Sequence, residues 1–289
     1  MAPRKVALNG ARLVRTRLAG QIVPTAANRV VAPDGRLVTL PGQGGVVLGI
    51  RPGDPAGGWA GDHVEPGISL GHPEDAANRA LQVLSCVGNR VTMVDGPAAG
   101  TRGVVVGKHG QVLVQLPAGD LARVAPGEWA VIEAEGVGLQ VEGEPDIVLN
   151  SCSPQLLERL TPGHDETGRL ILPVVTSLPA EAAAAGIGMA AMRFNIDLQV
   201  DQPPIAELAM GLRFGDVVAL LDHDHRFGRR YRPGWVAIGV ICHGASVGGG
   251  HGFGMMTLLS APAERLALPL SAAASLGRLL AIGGGRDAS

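Results

Sequence analysis

A mainly β, β-rich α+β fold is predicted for this chain: a multi-sheet, sandwich-like body with an embedded small β-barrel-like module and a few short helices. β-branched residues come in short runs, Gly and Pro break those runs at close intervals, and helical periodicity is confined to brief stretches. With 43 Gly and 21 Pro in 289 residues, many short elements joined by turns are expected.

The elements follow in order. From Leu13 to Gly49, Val23, Val30, Val31, Val38, Val46 and Val47 form extended runs with no convincing helix among them. Between Pro73 and Val87, the spacing of Ala76, Ala80, Leu81, Leu84 and Val87 suits an amphipathic helix opened by Glu74 and Asp75 and ended by Gly88 and Asn89. From Arg90 onward the runs Val91–Val94, Val104–Val106, Val112–Leu116, Trp129–Glu133 and Leu139–Val141 predict a barrel-like module over 90–145. Residues 1–89 with 146–289 then make the main body. Helices are expected at Pro154–Leu160, capped by Ser153, and at Pro179–Ala185; strands resume at Asp216–Leu221 and Trp235–Cys242. The apolar stretch from Leu266 to Ile282 is broken by Pro269, Gly277 and Arg278, so it reads as a packing segment or an oligomer interface.

Composition narrows the function classes. A net charge of −2 and 3% aromatic residues leave neither the positive field nor the stacking rings that nucleic acid needs. No membrane span and no secretion signal are predicted, and Cys86, Cys152 and Cys242 lack Cys-x-x-Cys spacing, so a reduced cytoplasmic protein is expected.

Residues suited to chemistry gather in glycine-rich loops. The segment from Gly53 to Gly67 carries Trp59, Asp62, His63 and Glu65; if extended from Asp62, alternation puts His63 and Glu65 on one face, as metal ligands or an acid–base pair. The plainer reading is a set of Asx turns. Gly107-Lys108-His109-Gly110 reads as a hairpin turn, with Lys108 and His109 as substrate contacts. In Asp222-His223-Asp224-His225, Asp222 and Asp224 would share one face as oxygen ligands and His223 and His225 the other as imidazole ligands, with Arg229 and Arg230 nearby to clamp an anionic group; a solvated hairpin is the alternative. An apolar strand ends at His243 and runs into Ser246 and His251. Its glycines precede no suitable helix, so no nucleotide cofactor is expected, and without a Gly-x-Ser-x-Gly elbow no serine triad is supported. Asn195 and Asp197 would share a face as oxygen ligands or simply make a turn, and Asn150-Ser151-Cys152 reads as a helix cap.

The strings Gly53-Asp54-Pro55 through Glu65-Pro66-Gly67, Gly107-Lys108-His109-Gly110, Gly215-Asp216-Val217-Val218-Ala219, Ile238 through Gly244, and Gly250-His251-Gly252 resemble a bacterial and archaeal mainly β domain family of unknown function, DUF4438. The likeness runs from Gly20 to Leu259. It implies a mainly β fold with a barrel-like module and supplies no family-wide reaction. The chain departs from that pattern at Phe253, where a proline is expected, and at Thr176, where a histidine is expected. A weaker similarity is to the acetamidase/formamidase group, which implies metal-dependent amide hydrolysis.

The resulting expectation is a divalent-metal-dependent hydrolase of a small amide or cyclic amide. His63, Glu65, His243 and His251 are its catalytic candidates. His63, Glu65, Asp222, Asp224 and His243 are its metal candidates, and Trp59, Lys108, His109, Arg229 and Ser246 its substrate contacts. A metal-free lyase or isomerase using a His and a carboxylate, and a non-catalytic binding or assembly protein, are the alternatives.

Overall fold

Many short strands create many unpaired edges, and the first half of this protein removes them by closing a barrel. The computed structural model describes residues 4–25, 28–31, 33–40, 42–199, 203, 205–245 and 251–282. Strands β1 (Thr16–Ile22), β2 (Asn28–Val31), β3 (Leu37–Leu40), β4 (Val46–Val47) and β5 (Gly67–Gly71) precede helix α1 (Asp75–Leu84). Then come β6 (Arg90–Met93), β7 (Arg102–His109), β8 (Gln111–Gln115), α2 (Ala118–Leu121) and β9 (Trp129–Ala134). Strands β1, β9, β6, β7, β8 and β5 pair in that order, and β1 returns to β5 with Gln21 opposite Gly71 and Ile22 opposite Leu70. The ring of six is thus complete.

Two of its strands come from before residue 90, which enlarges the module expected over 90–145. Four strands alone would leave both outer edges open. Leu139–Val141 is not a barrel strand; Val141 makes an isolated bridge to Leu8 and Gln140 one to Val148. The interior is filled by alternate residues such as Ile68, Leu70, Val91, Val114 and Ile132, and Leu81 of α1 packs among them. Helix α1 stops at Leu84 rather than near Gly88, because the Asn89 side chain accepts a hydrogen bond from Cys86 N at 2.7 Å and holds the chain in a turn.

The second half contains β10 (Val148–Leu149), α3 (Pro154–Leu160), β11 (Gly163–His164), β12 (Leu170–Ile171), β13 (Thr176–Leu178) and β14 (Ile196–Leu198). These are followed by α4 (Ile205–Ala209), β15 (Val217–Asp224), β16 (Arg230–His243), β17 (Phe253–Pro262), β18 (Leu266–Ala267) and α5 (Leu276–Leu279). Strands β10, β17, β16, β15 and β13 form one sheet, with β14 also paired to β17. Helix α3 has the expected bounds, and Ser153 Oγ accepts from Leu156 N at 3.1 Å. The helix expected at Pro179–Ala185 shrinks to one 3₁₀ turn, since Ala183 and Ala184 direct their backbone groups to β14 instead.

The sheet is buried on both faces, which is why β15 to β17 read as continuous apolar runs. Val217, Ala219, Val236, Ile238 and Val240 meet the outer wall of the barrel at Val104, Val106 and Leu113. Val218, Leu220, Ala237, Ile241 and Met255 pack on the other side against Phe214 and Ile205. The apolar tail joins the first of these cores through Leu266, Ala274 and Leu276. Among the described residues, no helix is long and apolar enough to cross a membrane.

Candidate metal centre

The site lies where the barrel meets the sheet. Gly107 of β7 allows that approach: a Cβ there would strike the side chain of Cys242 on β16. The bulge between Val105 and Gly107 adjusts the end of β7. His109, the last residue of β7, then faces His243, the last residue of β16, with ring centroids 4.1 Å apart. His63 stacks on His109 at 5.1 Å and stands 5.2 Å from both His243 and His251. Four imidazoles from distant parts of the chain thus share one small volume.

Each of three rings has its Nδ1 tied to an oxygen. His63 Nδ1 lies 3.1 Å from Asp62 Oδ2, His109 Nδ1 2.5 Å from Glu65 Oε1, and His243 Nδ1 2.7 Å from the Gly244 carbonyl. Tying off Nδ1 fixes ring orientation and favours a lone pair on Nε2, the arrangement that outer partners impose on metal-binding histidines. Glu65 is itself held, its Oε2 accepting from Gly44 N at 2.8 Å and from Ser69 Oγ at 2.7 Å.

Asp197 completes the centre. Its Oδ2 is 2.7 Å from His251 Nδ1, while its Oδ1 accepts from Asn195 Nδ2 at 2.8 Å. Asn195 Nδ2 also lies 2.7 Å from His243 Nε2. Since the Gly244 carbonyl can only accept, His243 carries its proton on Nδ1, and Asn195 donates to Nε2. Burial, reinforced by His109, pushes His243 down to about 4, so this ring is neutral at pH 7. Burial first, then His109, likewise lowers His63 against the pull of Asp62. For Asp197, burial acts to raise the carboxyl, but the neighbouring imidazoles, with His251 Nδ1 bonded to its Oδ2, outweigh that and hold it below its ordinary value. The result is a carboxylate among imidazole nitrogens, a ligand set suited to a transition metal or zinc.

Ligand atoms of His63, Asp197 and His251 lie within 4.8 Å of one another. A cation bonded at about 2.1 Å to each needs ligands no more than about 4.2 Å apart, so a small inward movement completes the set. His63 reaches this position from a left-handed backbone, φ 46°, a conformation that costs a non-glycine residue roughly 1–2 kcal/mol. This also corrects the alternation expected for His63 and Glu65: the segment is not extended, and the two side chains converge by turning. Glu65 stands behind His109 as its orienting carboxylate, and His243 with Asn195 stands behind Asp197.

Asp222 and Asp224 are corrected more strongly. Asp222 adopts φ 54° beside a register shift in β15, which breaks their common face, and its Oδ1 accepts from Gly234 N at 2.7 Å. The Asp224 carboxylate is occupied by Arg226, Arg230 and Arg232 at 2.9–3.0 Å. Neither belongs to the cluster of ligand atoms formed by His63, Asp197 and His251. Lys108 and Arg229 are both fully buried. Lys108 Nζ donates to Ser151 Oγ at 2.9 Å and to the Met192 carbonyl at 2.7 Å, whereas Arg229 contacts the Gly186 carbonyl and leaves Nε and Nη2 without a protein partner. Trp59 lines a cavity of about 270 Å³ beside Asp62, Val64 and Gly244. Ser246 lies outside the described residues. Asn195 and Asp197 are the residues that sequence reasoning undervalued; their signal was the polar-x-polar spacing at the start of a short strand.

A closed barrel docked on a mixed sheet, with a histidine–carboxylate cluster at the seam, defines the class of protein. The chain belongs to the DUF4438 family, a domain family of unknown function: residues 29–158 match its N-terminal domain and residues 160–280 its C-terminal domain. The crystal structure of TM1086 is similar along nearly the whole length, with 34% sequence identity and a TM-score of 0.89, covering 95% of this chain and 99% of that one. No curated protein matches the chain. None of these matches links it to the acetamidase/formamidase group.

Proposed function

We propose that this protein is a divalent-metal-dependent hydrolase of a small polar amide or cyclic amide. The observation that carries the reading is the convergence of His63, Asp197 and His251 within 4.8 Å, backed by residues that orient them. Three protein ligands leave a coordination position for water or substrate, as in catalytic zinc sites. Bound there, a divalent cation polarises a carbonyl and makes water acidic enough to act near neutral pH.

The chain's own residues account for the proton. Cleaving an amide adds water across the C–N bond, so the leaving nitrogen must gain a proton as the bond breaks. His109 is suited to move it: Glu65 grips Nδ1 at 2.5 Å, leaving Nε2 as the exchanging atom. Asn195 and His243 keep Asp197 in place. Three free, buried thiols with their pKa raised by burial, Cys86 to about 11, fit a reducing compartment, which is part of the proposal.

Elemental analysis of untagged protein before and after dialysis against a chelator tests this reading. Near-stoichiometric zinc, manganese or iron in wild type, absent from His63→Ala, is the expected result, together with chelator-sensitive turnover in a panel of amides and lactams. Metal-free protein whose melting temperature ignores added divalent ions overturns it. Chelator-resistant turnover would instead favour metal-free acid–base chemistry by His109 and Glu65.

A further inference from the structure

The outer wall of the barrel, away from the histidine cluster, contains a second concave site. A cavity of about 1020 Å³ is bounded by β1, β6, β7, β8 and β9 and closed on one side by the chain after α5. Its lining holds five arginines against two glutamates. Glu135 is already committed to Arg15 at 2.7 Å and to Gln155 at 3.0 Å. Glu133 lies in register with both Arg17 and Arg90 on the flanking strands. Arg17, Arg90 and Arg102 make no side-chain hydrogen bond or ion pair among the described residues, and positive charge is in excess.

A row of arginines on a strand surface is ordinarily a solvated face. Gln115 separates this one from that case. It lines the cavity, is only 3% exposed, and its Oε1 has no partner although Nε2 bonds the neighbouring Leu116 carbonyl. A buried acceptor left unpaired carries a desolvation penalty that a donor from a bound molecule removes. The volume is that of a site for an organic molecule rather than for a bare inorganic ion. Guanidinium forks and an orphaned acceptor in one lining specify complementary features on a ligand.

We propose that this cavity is a binding site, separate from the metal centre, for a small organic polyanion that also carries an O–H or N–H donor. The anionic groups, phosphate or carboxylate, engage Arg17, Arg90 and Arg102, and the donor reaches Gln115 Oε1. The inference does not depend on the hydrolase reading, because none of these residues belongs to the histidine cluster.

Calorimetric titration of the full chain at low ionic strength tests it with two probes, ribose 5-phosphate and citrate, which distinguish phosphate from carboxylate recognition. At least one should bind with Kd below about 1 mM, and Arg90→Ala/Arg102→Ala should weaken it at least about tenfold. Gln115→Leu should weaken the same probe while leaving tricarballylate, the analogue of citrate without its hydroxyl donor, unaffected, and His63→Ala should bind as wild type does. Folding of each variant is checked by its melting transition. Failure of both probes to bind, or equal binding by the folded double-arginine variant, overturns the proposal.

Discussion

The imidazole of His243 lies directly over Gly254, its antiparallel partner on β17, and a Cβ at that glycine would run into the ring. The absence of one side chain therefore gives a buried histidine its place. Gly254→Ala should displace the ring, cost about 1–3 kcal/mol as overpacking does, and weaken metal retention at the same time. Denaturant unfolding and metal titration of the same preparation check both; wild-type values in each would show that the ring has room to spare.

Asn195 bridges Asp197 and His243 through one amide nitrogen. Removing such an outer partner typically lowers metal affinity about 10–100-fold without abolishing binding. Asn195→Ala should show that loss in competition with a chromophoric chelator, while His251→Ala should lose the metal outright. Equal affinity in wild type and Asn195→Ala would remove Asn195 from the centre's support.

Lys108 is a fully buried cation whose partners are a hydroxyl and a carbonyl. Burial lowers it from 10.5 to about 8, so the charged form is disfavoured in the folded state. Below pH 8 the cost of that charge is fully present, and it fades as pH rises toward 10.5, because the unfolded chain then binds the extra proton. Lys108→Met should stabilise the protein at neutral pH by roughly 1–4 kcal/mol and remove the alkaline rise in stability. Melting curves of the two proteins between pH 7 and 10 decide it; parallel curves would mean that the hydrogen bonds fully compensate the charge.

Two buried groups at the end of β15 contribute to the acid limit, together with the depressed His243. Burial, aided by Arg229, lowers His225 from 6.5 to about 3, so the stability gained by keeping it neutral is complete above pH 6.5 and lost as pH falls toward 3. Asp224 is held below its ordinary 3.8, its three arginines overcoming the effect of burial, so its contribution is present above that value and disappears as pH falls through its lower folded value. Stability should therefore decline from about pH 6.5 downward in wild type. His225→Gln should flatten the first part of that decline, and Asp224→Asn should already cost about 3 kcal/mol at pH 7 by leaving arginines without their counter-charge. Acid unfolding followed by circular dichroism at several denaturant concentrations gives both numbers.

Sequence alone determined what depends on near neighbours. The cap at Ser153 and the helix after it, the strands at 217–221 and 235–242, the turn at Gly110 and the chemical character of the loops holding His63, His109, His243 and His251 follow from periodicity, capping and turn preference. Those forces act over a few residues. Tertiary structure decided how the barrel closes, why Asp224 serves three arginines rather than a metal, and why Asp197 stands at the centre. Closure requires β1 to find β5 and β9 far along the chain, a left-handed Asp222 breaks the alternation that would have paired it with Asp224, and the contact of Gly107 with Cys242 brings two strand ends together. Alternation assigns a side chain to a face of its own strand; which faces meet is set by the packing of sheets, a property no local window contains.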